Sequence, residues 1–311
     1  MRVNSNATRC MTVLEIAAGL TSSGDRAYQP VTVELGQADG LRLASISSAQ
    51  SIRDVIAKKV DVGLVNPSSA LLQAYRGIGP FNKPHPLRLI AVIPSEDQFV
   101  FAVRPETGLV NLEDIATKRT PLRVSFRGSH DHCMHDILAA VMAAAGFSVP
   151  DIVSWGGSVV YEGAVPRAET SRFRGCVDGK TNALFDEGAQ EWLDAAIDAG
   201  LTILSIHPET VEGLEALGFR RAILRKADYP RLKGDVLTIE FSGWPIFVHA
   251  DLPDAKVRAI CEALDTRHHL IPWQGEGPLP IETMVRDTPA GPHFVPLHGA
   301  AEAYWRERGY I

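Results

Sequence analysis

The segment Ser125-Phe126-Arg127-Gly128-Ser129 holds the first arrangement of residue types able to do chemistry. An apolar run precedes it and a helical pattern follows, so hydroxyls, backbone N–H groups and a guanidinium would converge at a helix N-terminus, where an anion is favoured. Arg127 carries a planar fork that grips a carboxylate through two parallel hydrogen bonds, which a lysine cannot do. A solvated loop arginine is the plainer alternative. Asn66, Ser68 and Ser69, in Asn66-Pro67-Ser68-Ser69, end a predicted strand, where an open α/β lobe holds its ligand groups; helix capping uses the same residues. Trp155-Gly156-Gly157-Ser158 and Phe241-Ser242-Gly243-Trp244 each join an indole to glycines after a predicted strand, letting backbone approach a ligand beside an apolar wall. Asp186, followed by Glu187, ends another strand and could hold a ligand amine, act as a base or cap the next helix.

A second constellation is His130-Asp131-His132-Cys133-Met134-His135. Imidazole is the side chain best suited to proton transfer near neutral pH, so His130 and His132 are the acid and base if the chain is an enzyme. A metal is not expected. On a helix His132 shares a face with His135 or Asp136 only, and the His-Glu-x-x-His spacing is absent. No G-x-S-x-G, G-x-G-x-x-G or phosphate-loop pattern stands between a strand and a helix, so no cofactor is expected.

Short apolar runs alternate with helical patterns along nearly the whole chain, which predicts mainly parallel sheets with crossover helices. Strands are predicted over 31–35, 87–93, 99–103, 122–126, 152–155, 201–206, 236–241 and 246–249, and helices over 8–20, 52–59, 68–75, 132–145, 187–199, 209–217, 254–268 and 300–308. Asp131 and Pro253-Asp254 mark helix starts, and Gly146 and Gly218 mark helix ends. A length of 311 residues predicts two lobes. The chain leaves the first lobe near 94–99 and returns near 238–244, giving one lobe from 1–96 and 243–311 and a second from 97–242, with the ligand cleft between them.

Lys and Arg total 31 against 37 Asp and Glu, a formal charge of −6, which opposes nucleic acid as a partner. No apolar run reaches membrane-spanning length, so no insertion is expected. Cys10, Cys133, Cys176 and Cys261 lie far apart without a C-x-x-C pair and read as buried thiols. Met1 to Asn6 contains no signal-peptide pattern, which as written implies a cytoplasmic chain, or a periplasmic one whose leader was removed.

Order and spacing of several segments resemble the TAXI-type solute receptors of TRAP transporters, a branch of the type II periplasmic-binding-protein fold. The resemblance rests on Val60-Asp61-Val62-Gly63-Leu64-Val65-Asn66, Gly79-Pro80-Phe81, the Gly128-Ser129 turn, Asp178-Gly179-Lys180 before Ala183-Leu184-Phe185, Asp251-Leu252-Pro253, Pro296-Leu297-His298-Gly299 and Tyr304-Trp305-Arg306-Glu307. Two departures stand out: Thr8-Arg9-Cys10 replaces the Gly-Gly-rich first turn, and the histidine segment replaces a Gly or Thr. The resemblance implies a two-lobed protein that binds a small carboxylate and is recognised by a TRAP-type membrane permease. The rival expectation is a cofactor-independent lyase, decarboxylase or isomerase on the same fold, acting on a carboxylated substrate through His130 or His132.

Overall fold

The computed structural model of the protein describes residues 5–21, 31–36, 40–45, 49–128 and 132–311. Along the chain come α1 (Ser5–Thr21), β1 (Val31–Leu35), β2 (Leu41–Ser45), α2 (Gln50–Ile56), β3 (Val62–Leu64), α3 (Ser68–Arg76) and β4 (Leu87–Ile93). After a crossing at 94–99 follow β5 (Val100–Val103), α4 (Asp114–Lys118), β6 (Arg123–Phe126), α5 (Met134–Ala144), α6 (Val149–Ser154), β7 (Ser158–Tyr161), α7 (Ser171–Val177), β8 (Ala183–Asp186), α8 (Ala189–Asp198), β9 (Thr202–Ile203), α9 (Pro208–Ala216), β10 (Arg220–Leu224) and β11 (Val236–Glu240). The chain then crosses back into β12 (Trp244–His249), α10 (Asp254–Arg267), α11 (Ile281–Val285) and α12 (Gly299–Glu307).

These strands build one sheet of order β1-β2-β3-β12-β4, another of order β7-β6-β8-β5-β9, and the hairpin β10-β11. Both large sheets are mixed. In the first, β2 pairs parallel with β3, while β12 runs antiparallel to β3 and β4. In the second, β6 pairs parallel with β7 and β8, while β5 runs antiparallel to β8 and β9. The expected parallel pairing therefore holds for β6 with β7 and β8 and for β2 with β3, whereas β1 pairs antiparallel with β2, and the strands that follow the two crossings, β5 and β12, run antiparallel to both of their neighbours. β5 enters from β4 of the first sheet and β12 from β11 of the hairpin, neither through a crossover helix, so nothing obliges them to lie parallel to their neighbours.

Period-two alternation places each crossing strand in two cores. Phe101 and Val103 of β5 join Phe126, Phe185 and Ile137, whereas Val100 and Ala102 join Trp192, Leu193 and Leu184. Ile246 and Val248 of β12 pack with Ile90, Met284 and Trp305, and Phe247 packs on the opposite face with Ile52, Leu71 and Leu89. Buried on both faces, these strands read as continuous apolar runs and are easily found in the sequence.

Each of the predicted helices has a counterpart. Residues 152–155, expected as a strand, instead end α6, because Pro150 and a Ser148 cap start a helix there; the Ser148 hydroxyl accepts from the Asp151 N–H at 3.4 Å. Only Thr202–Ile203 of the 201–206 run is strand, and β2, β7 and β10 were not anticipated. Cys133, Cys176 and Cys261 are buried free thiols, while the Cys10 side chain lies outside the described residues. Among the described residues, no helix is long and apolar enough to cross a membrane.

Candidate functional site

Strand ends from both sheets converge on one cleft of about 340 Å³. Asn66 follows β3 and Trp244 opens β12, both on the first sheet; Asp97 lies on the crossing into β5, Arg127 follows β6, and Glu187 follows β8 on the second. Asn66, Arg127 and Glu187 thus lie outside the carboxyl ends of strands, where open α/β sheets place ligands, while Asp97 and Trp244 reach the same space at the amino ends of the antiparallel strands β5 and β12. Gln274, from the Pro- and Gly-rich segment before α11, closes one side, its Oε1 accepting from the Glu96 N–H at 2.7 Å.

An ion-pair lattice lies on the second-sheet side of this space. Arg127 Nη2 donates to Asp186 Oδ1 at 2.6 Å, and its Nη1 donates to Glu187 Oε1 at 2.7 Å. Arg172 binds the other Asp186 oxygen and also donates to the Ser125 hydroxyl at 3.0 Å and carbonyl at 2.9 Å. Arg127 is 1% exposed and Asp186 fully buried. Burial alone would raise the Asp186 pKa, but the two guanidiniums hold it below the ordinary carboxylate value.

The remaining acids behave differently. Burial pushes Glu187 up, with the adjacent Asp186 charge adding to the effect and Arg127 only partly offsetting it. Asp97 is raised well above its ordinary value, first by burial and then by the Glu187 charge, although its Oδ1 accepts from the Gly188 N–H at 2.9 Å. His132 Nδ1 accepts from the Met134 N–H at 3.1 Å, and its Nε2 stands 3.0 Å from Arg127 Nη1. Burial, then the Arg127 charge, lowers the His132 pKa to about 3, so the ring is neutral near pH 7.

Three buried polar atoms at this cleft have no hydrogen-bond partner among the described residues: Asn66 Oδ1, Trp244 Nε1 and Glu187 Oε2. Two come from the first sheet and one from the second. A buried polar atom without a partner is costly, so three of them on residues that line one space make that space a candidate for a group that supplies the bonds.

The sequence candidates divide between the cleft and its surroundings. Asn66, Arg127, His132 and Trp244 line the cleft, and Asp186 lies behind it holding Arg127. Ser125 is buried beneath, holding Arg172. Ser68 Oγ donates to the Ser242 carbonyl at 2.8 Å, tying α3 to the returning crossing, while Ser69 faces a separate groove with Gln73, Cys133 and Leu217. Trp155 packs against the second-sheet core at the end of α6, and Gly156 follows it, so neither reaches the cleft, contrary to expectation; the segment caps a helix rather than ending a strand. Ser129, His130 and Asp131 lie outside the described residues. Asp97 and Gln274 were missed. The signal for Asp97 was its position, an acid on a predicted crossing between lobes; Gln274 had no distinguishing signal.

No curated protein matches the chain. Partial likeness extends to solved structures: the alkanesulfonate-binding protein of Xanthomonas axonopodis pv. citri (14% identity, 72% of this chain and 61% of that one, TM-score 0.30) and the periplasmic aliphatic sulphonate binding protein of Escherichia coli (12%, 71% and 60%, TM-score 0.32). The arginine-, lysine-, histidine-binding protein of Geobacillus stearothermophilus aligns at 10% identity over 73% of this chain and 74% of that one, with a TM-score of 0.32. This chain thus spans about three fifths of the length of the two sulphonate-binding proteins. Residues 24–309, nearly the whole sequence, match the NMT1-like family, and the chain belongs to that family.

Proposed function

We propose that this chain is a solute-binding protein that closes two lobes, 1–96 with 243–311 and 97–242, on a small polar molecule in the cleft. The observation that carries the reading is the set of partnerless buried atoms, Asn66 Oδ1, Trp244 Nε1 and Glu187 Oε2, drawn from both sheets and gathered around a space of about 340 Å³. A ligand touching both sheets would favour the closed arrangement by its differential contacts, which is how hinge closure is driven. A TRAP-type permease is the partner that the resemblance to TAXI receptors implies.

The carboxylate expected of the solute loses its anchor, because Arg127 is already paired with Asp186 and Glu187, and Arg172 with Asp186. Of the three partnerless side-chain atoms, Trp244 Nε1 is the one donor for a carboxylate oxygen. Proton transfer by His132 is disfavoured by a pKa near 3 and by the bonds at its two nitrogens.

The test is a thermal-shift screen of small polar solutes with each compound assayed for recovery by mass spectrometry. A stabilising solute recovered intact, whose effect disappears in Trp244→Ala, supports the proposal. Turnover of a compound, or stabilisation unaffected by both Trp244→Ala and Asn66→Ala, overturns it.

A further inference from the structure

Resting on the cleft reading above, we infer that the solute is a small organic cation, a protonated amine that lies between Asp97 and Glu187 and presents an acceptor oxygen to Trp244. The inference begins with charge. Two guanidiniums, Arg127 and Arg172, stand against three buried carboxylates, Asp97, Asp186 and Glu187. Asp186 takes both guanidiniums and Glu187 takes one edge of Arg127, whereas Asp97 is held by neutral donors. Glu191, also at the cleft, pairs with Arg167 outside it. With all three acids ionised, the buried set would carry one negative charge more than its cations neutralise.

Hydrogen bonding points the same way. Glu187 lines the cleft and is only 6% exposed, yet its Oε2 has no partner among the described residues. Asn66 Oδ1, from the opposite sheet, is a second acceptor left over at the same space. An ammonium group has three N–H donors and no acceptor, so it matches a carboxylate oxygen, an amide oxygen and the charge together. Trp244 Nε1 is a lone donor, which asks for one oxygen on the ligand, and its indole adds the attraction of an aromatic ring for a cation. Burial first, and then the neighbouring carboxylate charge, raise the pKa values of Asp97 and Glu187, and a cation placed between the two groups would relieve the second of these causes.

Bare metal ions fit less well. Carboxylate and amide oxygens suit a hard cation, but the Glu187 carboxylate is shared with Arg127 and the facing group on Trp244 is an N–H, which no metal accepts.

The experiment is isothermal titration at pH 7 with three-membered sets of equal chain length: 3-aminopropanol, 1,3-propanediol and 3-hydroxypropionate, then 4-aminobutanol, 1,4-butanediol and 4-hydroxybutyrate. Calcium and magnesium chloride are titrated in parallel. The expected result is that an amino alcohol binds at least tenfold more tightly than its diol and its carboxylate, and that Glu187→Gln and Asp97→Asn each reduce its affinity at least tenfold. Circular dichroism checks that each variant is folded; Glu187→Asp, which keeps the charge, covers the case in which the glutamine does not fold and is expected to retain part of the preference. Should no amino alcohol outbind its partners, or should only the metal ions bind, the cation inference is overturned. Carboxylate or diol binding that Trp244→Ala abolishes would overturn it while leaving the cleft in place, whereas ammonium binding indifferent to Glu187→Gln, Asp97→Asn and Trp244→Ala would overturn the cleft as well.

Discussion

Arg127 Nη2 lies 2.6 Å from Asp186 Oδ1 with both side chains sealed from solvent, so the guanidinium that reads in the sequence as an anion receptor already holds an internal carboxylate. Removing one partner of a buried pair leaves the other charged and unsolvated, at a cost of roughly 3–5 kcal/mol. Arg127→Met should therefore lower unfolding stability by about that amount in urea titrations, through Asp186 and Glu187. Arg127→Lys should not restore it, because an ammonium group cannot bridge two carboxylates with the geometry of the fork. Wild-type stability in Arg127→Met would mean that the pair is dispensable.

Acid lability is a separate consequence, centred on His132. Its ring is held neutral down to about pH 3, whereas the unfolded chain takes up the proton from about pH 6.5. Between those values the unfolded state binds more protons, so stability falls as pH falls, by at most about 5 kcal/mol for a difference of this size. Urea titrations from pH 7 to pH 3.5 should show this slope, and it should flatten in His132→Gln. A slope unchanged by the substitution would assign the acid sensitivity to other groups.

Asp97 should tilt the curve the other way. Its pKa is raised in the folded state by burial and by the Glu187 charge, so above the ordinary aspartate range, about pH 4, the native protein holds a proton that the unfolded chain has released. Stability from this group is complete below that range and is lost as pH rises through the raised value. Asp97→Asn should thus be more stable than the parent at pH 8 and show no such gain at pH 4. Equal stability differences at the two pH values would contradict the raised pKa.

How far this was legible in the sequence depended on what kind of contact fixed each residue. Helices α3, α5, α8 and α10 announced themselves because each repeats its apolar residues on one face, and β4, β5 and β12 because they are buried on both sides. Short strands at a sheet edge, β7 for instance, have mostly exposed residues and so carry little apolar signal. The cleft lining was half legible: Asn66 and Trp244, singled out in the sequence at strand ends, both line it. Arg127 lines the same space, but nothing local to Ser125-Phe126-Arg127 reveals that Asp186, some sixty residues later, pairs with it. Trp155 and Gly156 were misplaced for the converse reason, as the Ser148 cap and Pro150 turned an apparent strand end into a helix end.

Closure of the cleft would depend on the returning crossing, and Gly243 there is the sharpest place to test its rigidity. Its φ of 85° lies in the left-handed region, and an added Cβ would come 2.9 Å from both Pro292 Cδ and Val92 Cγ1. The Gly243 N–H also donates to Ser95 Oγ at 2.8 Å, binding the two crossings together. Gly243→Ala should lose about 2–4 kcal/mol, combining roughly 1 kcal/mol of backbone strain with the overpacking of a closed site. Gly200→Ala supplies the reference, because Gly200 has a similar φ of 77° and nothing within 4 Å of the added atom, so it should lose only the backbone part. Equal losses in the two variants, measured by urea denaturation, would show that the crossing gives way around the methyl group. A larger loss at Gly243 would mark the crossing as tightly packed against Pro292 and Val92.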